Sequence, residues 1–182
     1  MKVVIVFESM FGNTQALARA VAEGLTGSGA EVALAEVGSP ASRAFAGCDL
    51  LVLAAPTHAL TMSRPESRAD AVSRGADPRH TGSGVREWLD TVDEILPPAQ
   101  PRPVVAVFDT RVVKARHWPG SAANAMSRAV KRHGLTVVDR TTFYVQGISG
   151  PVADGEGKRA REWGAALADR KPTSGPVTAT TS

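Results

Sequence analysis

A strict alternation governs this sequence: short, continuous apolar runs rich in β-branched residues take turns with longer stretches whose apolar residues recur at helical spacing. Residues 3–7 (VVIVF) form such a run, as expected of a parallel strand covered on both faces. In residues 14–25, Leu17, Val21 and Leu25 stand at i, i+4 and i+8 with Arg19 and Glu23 off the stripe, an amphipathic helix ending near Gly27. Residues 31–37 and 49–55 give two more strands, with a short helix over 41–46 between them. Ser83 is expected to cap a helix whose stripe is Val85, Trp88, Leu89, Val92, Ile95 and Leu96, stopped by Pro97 and Pro98. A strand over 104–108 follows, and Pro119 and Ser121 then open a helix that buries Ala122, Met126 and Val130, with Gly134 as a left-handed cap. Strand material over 135–138 and 142–145 is broken by residues 139–141, and a last helix over 154–170 packs Ala160, Trp163 and Leu167. Trp88 and Trp163 are read as core residues.

Strands separated by spacers of helical length must run parallel and be joined by right-handed crossovers. The expected fold class is therefore α/β, a doubly wound three-layer α/β/α sandwich on a five-stranded parallel sheet. One domain spans residues 1–171. Residues 63–84 are rich in Arg, Gly, Asp and Ser and poor in apolar residues, and read as a long surface insertion. Residues 172–182 are small, polar and uncharged, and are expected to be disordered.

Composition narrows the class. The chain has 182 residues, 43% hydrophobic and 21% charged, with no apolar run of the roughly 18 residues that a membrane span needs. A single cysteine, Cys48, makes neither an internal disulfide nor a zinc site, so the cytoplasm is the expected compartment. The net charge of +3 conceals a local excess: between Thr110 and Val138 there is no Asp or Glu, while Arg111, Lys114, Arg116, Arg128, Lys131 and Arg132 all fall there. That stretch is either a solvated face or one that meets anions or a partner. It lacks interleaved aromatics and any nucleic-acid motif, so nucleic acid is not an expected partner.

In a doubly wound sheet, ligands bind beyond the carboxyl ends of the strands. Three loops lie there. The first, ESMFGNTQ, follows the opening strand and precedes the first helix, so the N–H groups from Met10 to Thr14 face one concavity at the positive end of a helix dipole. Gly12 permits the tight turn, and Ser9, Asn13 and Thr14 add neutral donors, which suits a buried phosphate monoester; a plain capped turn is the alternative. A Walker A loop needs a Lys and a dinucleotide fingerprint needs three glycines, and this loop has neither. The second loop, APTHAL, carries Pro56, Thr57, His58 and Ala59, and the third begins Asp109, Thr110, Arg111. Neither histidines nor acids have metal-ligand spacing, and no GxSxG elbow is present.

These motifs in this order resemble the flavodoxin family: SMFGNT is similar to the FMN phosphate loop, PTH to the second flavin loop, and GLTVVDRTTFYVQG with the terminal helix to the family's broken fifth strand. The resemblance covers about residues 1–170. It implies strand order 2-1-3-4-5 and noncovalent FMN, with Ser9, Met10, Phe11, Gly12, Asn13 and Thr14 on the phosphate. Pro56, Thr57, His58, Ala59, Asp109, Thr110 and Arg111 would enclose the isoalloxazine. No side chain is assigned a catalytic role.

Three departures bear on function. Phe11 stands where the family has a hydroxyl residue, no Trp or Tyr follows Pro56 to stack on the flavin, and the sequence pI of about 9.4 contrasts with the family's acidity. His58 or Trp118 would have to stack instead. If Arg111 and its neighbours face the N1 and O2 side of the ring, they stabilise the reduced anion by about 1–2 kcal/mol and make the couple less negative. The expected function is electron carriage between redox partners. The alternatives are an NAD(P)H-dependent quinone or flavin reductase, in which His58 orients substrate or supplies a proton, and a non-enzymatic binding module.

Overall fold

The computed structural model of the protein describes residues 1–96 and 101–170. A five-stranded sheet in the order β2-β1-β3-β4-β5 is built from β1 (Lys2–Phe7), β2 (Glu31–Glu36), β3 (Leu50–Pro56), β4 (Val104–Val112) and β5 (Thr136–Val145). Every pairing is parallel. The crossovers carry α1 (Asn13–Gly27), α2 (Pro65–Ser73), α3 (Val85–Leu89), α4 (Val92–Ile95) and α5 (Ala122–Arg132); α6 (Glu156–Ala168) follows β5. Among the described residues no helix is long and apolar enough to cross a membrane.

Alternating side chains of the central strands feed two cores. Val4, Val6, Leu51, Leu53, Val105 and Val107 face α3 and α5, where Trp88, Leu89, Met126 and Val130 pack. Val3, Ile5, Leu50, Val52, Ala106 and Phe108 face α1 and α6. Each fully buried Val or Leu contributes roughly 1.5–3 kcal/mol relative to an exposed one, which is why the continuous runs specify the centre of the sheet. Phe108, Phe143 and Trp163 meet edge to face, with ring centroids 5.2, 5.9 and 6.0 Å apart. On the same side α1 and α6 touch backbone to backbone: a Cβ at Gly24 would lie 2.0 Å from the Arg161 carbonyl oxygen, and one at Gly164 would lie 2.2 Å from that of Val21. Cys48 is buried, and burial, with a smaller contribution from Asp49, pushes its thiol up to about 12, so it is an inert core residue.

Four expectations are corrected. The helix expected from Ser83 to the prolines is two short helices, α3 and α4; Gly84 rather than Ser83 is the N-cap, with its N–H donating to Glu87 at 2.8 Å. At the break, the Thr91 hydroxyl donates to the Trp88 carbonyl at 2.8 Å, a local bond that competes with helix continuation. β4 runs on through Asp109, Thr110 and Arg111, which are strand residues and not loop residues. The expected interruption of β5 is only a bulge: Val105 pairs with Val137 and Ala106 with Asp139, so Val138 is the extra residue and residues 139–141 stay in the strand. Finally, the 63–84 segment is not a bare surface excursion. It holds α2, and Arg68 within it is 1% exposed. Sparse apolar content concealed this, because the segment docks through a buried cation. Pro97, Pro98 and residues 172–182 lie outside the described residues.

Candidate functional site

A cleft of about 300 Å³ opens beyond the carboxyl ends of β1, β3 and β4. All the residues singled out in the three segments line it except Gly12 and Asp109. Gly12 sits at the entrance of α1 with φ +82, a left-handed conformation that costs an L side chain about 1–2 kcal/mol. No side chain caps α1 at Gly12, and its first turn carries no acid. The Gln15 N–H donates to the buried Ser9 hydroxyl at 3.2 Å and the Ala16 N–H to the Gly12 carbonyl at 2.9 Å. The N–H groups of Met10, Phe11, Gly12, Asn13 and Thr14 have no hydrogen-bond partner among the described residues. Thr14 is anchored sideways, its hydroxyl 2.9 Å from that of Thr110 on β4.

Asp109 lies beneath the cleft, fully buried, and acts on it through others. Its two carboxylate oxygens accept from the Thr57 hydroxyl at 2.5 Å and the Thr142 hydroxyl at 2.6 Å. Thr57 in turn accepts from the Ala122 N–H at 2.8 Å and donates its own N–H to the Thr110 carbonyl at 2.9 Å. One threonine thus joins the second loop to β4 and to the start of α5. Beyond it the chain reverses in two residues: His58 and Thr61 exchange backbone bonds of 2.9 and 3.0 Å around Ala59 (φ 44) and Leu60 (φ 66). This turn favours Asn-Gly, so placing Ala and Leu there stores backbone strain of about 1–3 kcal/mol per residue.

Several lining residues escaped the sequence reading. Ser67 and Asp70 come from α2 and Arg74 from its C-cap, and Val145 and Ile148 from the end of β5 and the segment after it. Asn13 packs so closely on Gly150 that a Cβ there would lie 2.5 Å from its Oδ1. Trp118 and Ile148 line the cleft at 60% and 61% exposure, the large apolar side chains left open to solvent. The charge alternation of residues 66–74, ESRADAVSR, was the available signal for its contribution, since it places Asp70 and Arg74 one turn apart, where they pair at 2.9 Å. Nothing in the sequence could have placed residues 145–148 against the first loop.

Electrostatics sharpen two positions. Burial, reinforced by the Arg68 charge and opposed by Asp70, holds the His58 imidazole below its ordinary pKa, so it is neutral at pH 7. Glu8, immediately before the first loop, is pushed up by burial, while Ser63, the Val85 N–H and Arg68 pull the other way. Its Oε2 accepts from the Val85 N–H at 2.8 Å; its Oε1 is buried without a partner. Arg68 donates to Ser63 at 3.0 Å and to Glu87 at 3.2 Å, so one polar cluster clamps the insertion against the end of β1. Among the described residues no three His, Cys, Asp or Glu side chains gather as a metal site.

No protein-family model and no curated protein sequence matches the chain. Solved structures do. A flavodoxin from the domain Archaea is 18% identical over 92% of this chain and 96% of its own, with a TM-score of 0.62. Oxidised flavodoxin 1 from Bacillus cereus is 18% identical over 94% and 100%, with a TM-score of 0.63. A flavodoxin, WrbA-like protein from Agrobacterium tumefaciens is 19% identical over 92% and 94%, with a TM-score of 0.53. With the strand order 2-1-3-4-5 and the cleft beyond the strand ends, these likenesses establish that the chain is a flavodoxin-like α/β domain.

Proposed function

We propose that the protein binds FMN in this cleft and carries electrons between redox partners. The observation that carries the reading is the run of N–H groups from Met10 to Thr14 that no described residue satisfies, at the positive end of a 15-residue helix. Unpaired main-chain donors on that scale call for an acceptor, and a phosphate monoester supplies three oxygens. The residues fit the group. The Ser9 and Thr14 hydroxyls and the Asn13 amide stand on the same loop, and no carboxylate occupies the first turn to repel it.

Bound FMN would supply reversible one- and two-electron transfer; the chain supplies position and access. Thr57, held by Asp109 and Ala122, fixes the second loop against β4. Trp118, exposed at the cleft, offers the aromatic face that the second loop lacks. Arg111 bonds the carbonyls of Trp118 and Gly120 and so pins the third segment as a wall. Its cation next to the cleft favours a reduced, negatively charged occupant.

The second reading, an NAD(P)H-dependent quinone or flavin reductase, is favoured by His58, whose neutral ring lines the cleft and can orient a substrate by hydrogen bonding. Titration of the purified chain with FMN, followed by quenching of flavin fluorescence, tests the shared premise; absence of saturable binding leaves only a binding module without flavin. Anaerobic photoreduction then separates the two readings. Accumulation of one-electron-reduced flavin supports the carrier, whereas direct two-electron reduction and rapid bleaching by NADPH alone support the reductase.

A further inference from the structure

A second cavity, of about 530 Å³, lies against the start of α5 and the outer strand β5, and shares Arg111 and Trp118 with the cleft. Arg140 and Arg159 line it together with Ser121, Asn124 and Tyr144, and no carboxylate does. Its three cations are not equivalent. Arg159 is compensated, with Glu156 accepting from it at 2.9 and 2.5 Å. Arg140 makes no hydrogen bond or ion pair through its guanidinium among the described residues. Arg111 is only 8% exposed; among the described residues its guanidinium bonds only the carbonyls of Trp118 and Gly120, and its buried Nε has no partner.

A cation taken out of water without a counter-charge is costly, so buried arginines are ordinarily met by carboxylate or phosphate. Here the chain offers carbonyl dipoles and leaves the charge unanswered. α5 adds its positive end, although the Ala122 and Asn124 N–H groups are already spent on Thr57 and Ser121. The side-chain donors that line the cavity come from β4, the start of α5, β5 and α6, arranged around a space instead of along one edge. That suits a tetrahedral group more than the flat fork of a single carboxylate.

We propose that this cavity is a second ligand site, which takes the phosphoryl group of a small molecule between Arg111 and Arg140 at the start of α5. The site shares Arg111 and Trp118 with the FMN cleft, while Arg140, Ser121 and Asn124 belong to it alone.

Calorimetric titration of the full chain with FMN added in excess, so that the first loop is filled, using inorganic phosphate at low ionic strength tests it. One saturable site per chain is expected, weakened at least tenfold by Arg140→Gln and by Arg111→Gln, and unchanged by Arg128→Gln, an exposed cation of α5 outside the cavity. Arg140 is exposed, so its variant keeps the test decisive if Arg111→Gln fails to fold. Heats that never saturate, or an equal loss in Arg128→Gln, overturn the site. NADPH and NADH arms identify the carrier: binding at least tenfold tighter than phosphate and lost in Arg140→Gln assigns a dinucleotide, and binding no tighter assigns the free anion. FMN affinity is expected to be the same in Arg140→Gln and the parent chain, so failure of either site is read separately.

Discussion

Two helices begin at the same edge of the sheet, and their first turns are treated in opposite ways. At α1 a left-handed glycine opens the helix, Ser9 accepts only from the Gln15 N–H at 3.2 Å, and the N–H groups from Met10 to Thr14 have no partner among the described residues. At α5 Ser121 accepts from the Asn124 N–H at 3.1 Å and Thr57 accepts from Ala122. On the proposed function, the first turn is left open for the phosphate of FMN. The second is closed by the chain itself, and closing it fastens the second loop. The same physical feature, a set of orphan N–H groups, gives rigidity at α5 and, on the proposed function, recognition at α1.

The contrast is broken most severely at Thr57. Thr57→Val leaves Asp109 with one hydroxyl fewer and the Ala122 N–H unpaired, both buried; a loss of about 3 kcal/mol in urea unfolding is expected, with loosened FMN binding as a consequence. Gly12→Val attacks the open end. A β-branched residue at φ +82 is expected to cost about 2 kcal/mol and to weaken FMN more than tenfold in fluorescence titration, while α5 is untouched. Ser121→Ala, the complementary change at the closed end, is expected to cost about 1 kcal/mol and leave FMN affinity unaltered. If it weakened FMN as much as Gly12→Val does, the two ends would not differ in role.

The smallest effect concerns Glu8. Because its carboxyl is raised above the ordinary 4.5, the folded chain keeps a proton that the unfolded chain releases. Stability from this group is complete below pH 4.5 and declines as pH rises through the raised value. Glu8→Gln is expected to flatten that decline, measured as urea midpoints across pH 4.5 to 7.5, and an unchanged slope would assign it to another group.

Periodicity made the sheet legible. Continuous apolar runs mark β1, β3 and the start of β4, because burial on both faces leaves no polar position to interrupt them. The same rule hid the rest of β4: Asp109 and Arg111 look like loop residues, yet each stays in the strand, Asp109 held by two threonine hydroxyls and Arg111 by two backbone carbonyls. The phosphate-type loop was legible as a local motif, whereas its neighbours across the cleft were not. Asp70 and Arg74 reach it through a helix whose anchor, Arg68, is a buried charge, and Ile148 reaches it by the return of the chain after β5. Such placements depend on pairing between segments far apart in sequence, which no single window contains.

The backbone contact of α1 with α6 at Gly24 and Gly164 has an implication for biosynthesis. As the chain leaves the ribosome, the helix that carries the first loop is made early, but the helix it must lie flush against emerges only after every strand. Any side chain larger than hydrogen at either glycine would hold the two rods apart, so the opening segment of the polypeptide waits for residues 156–168 before its final pitch is set.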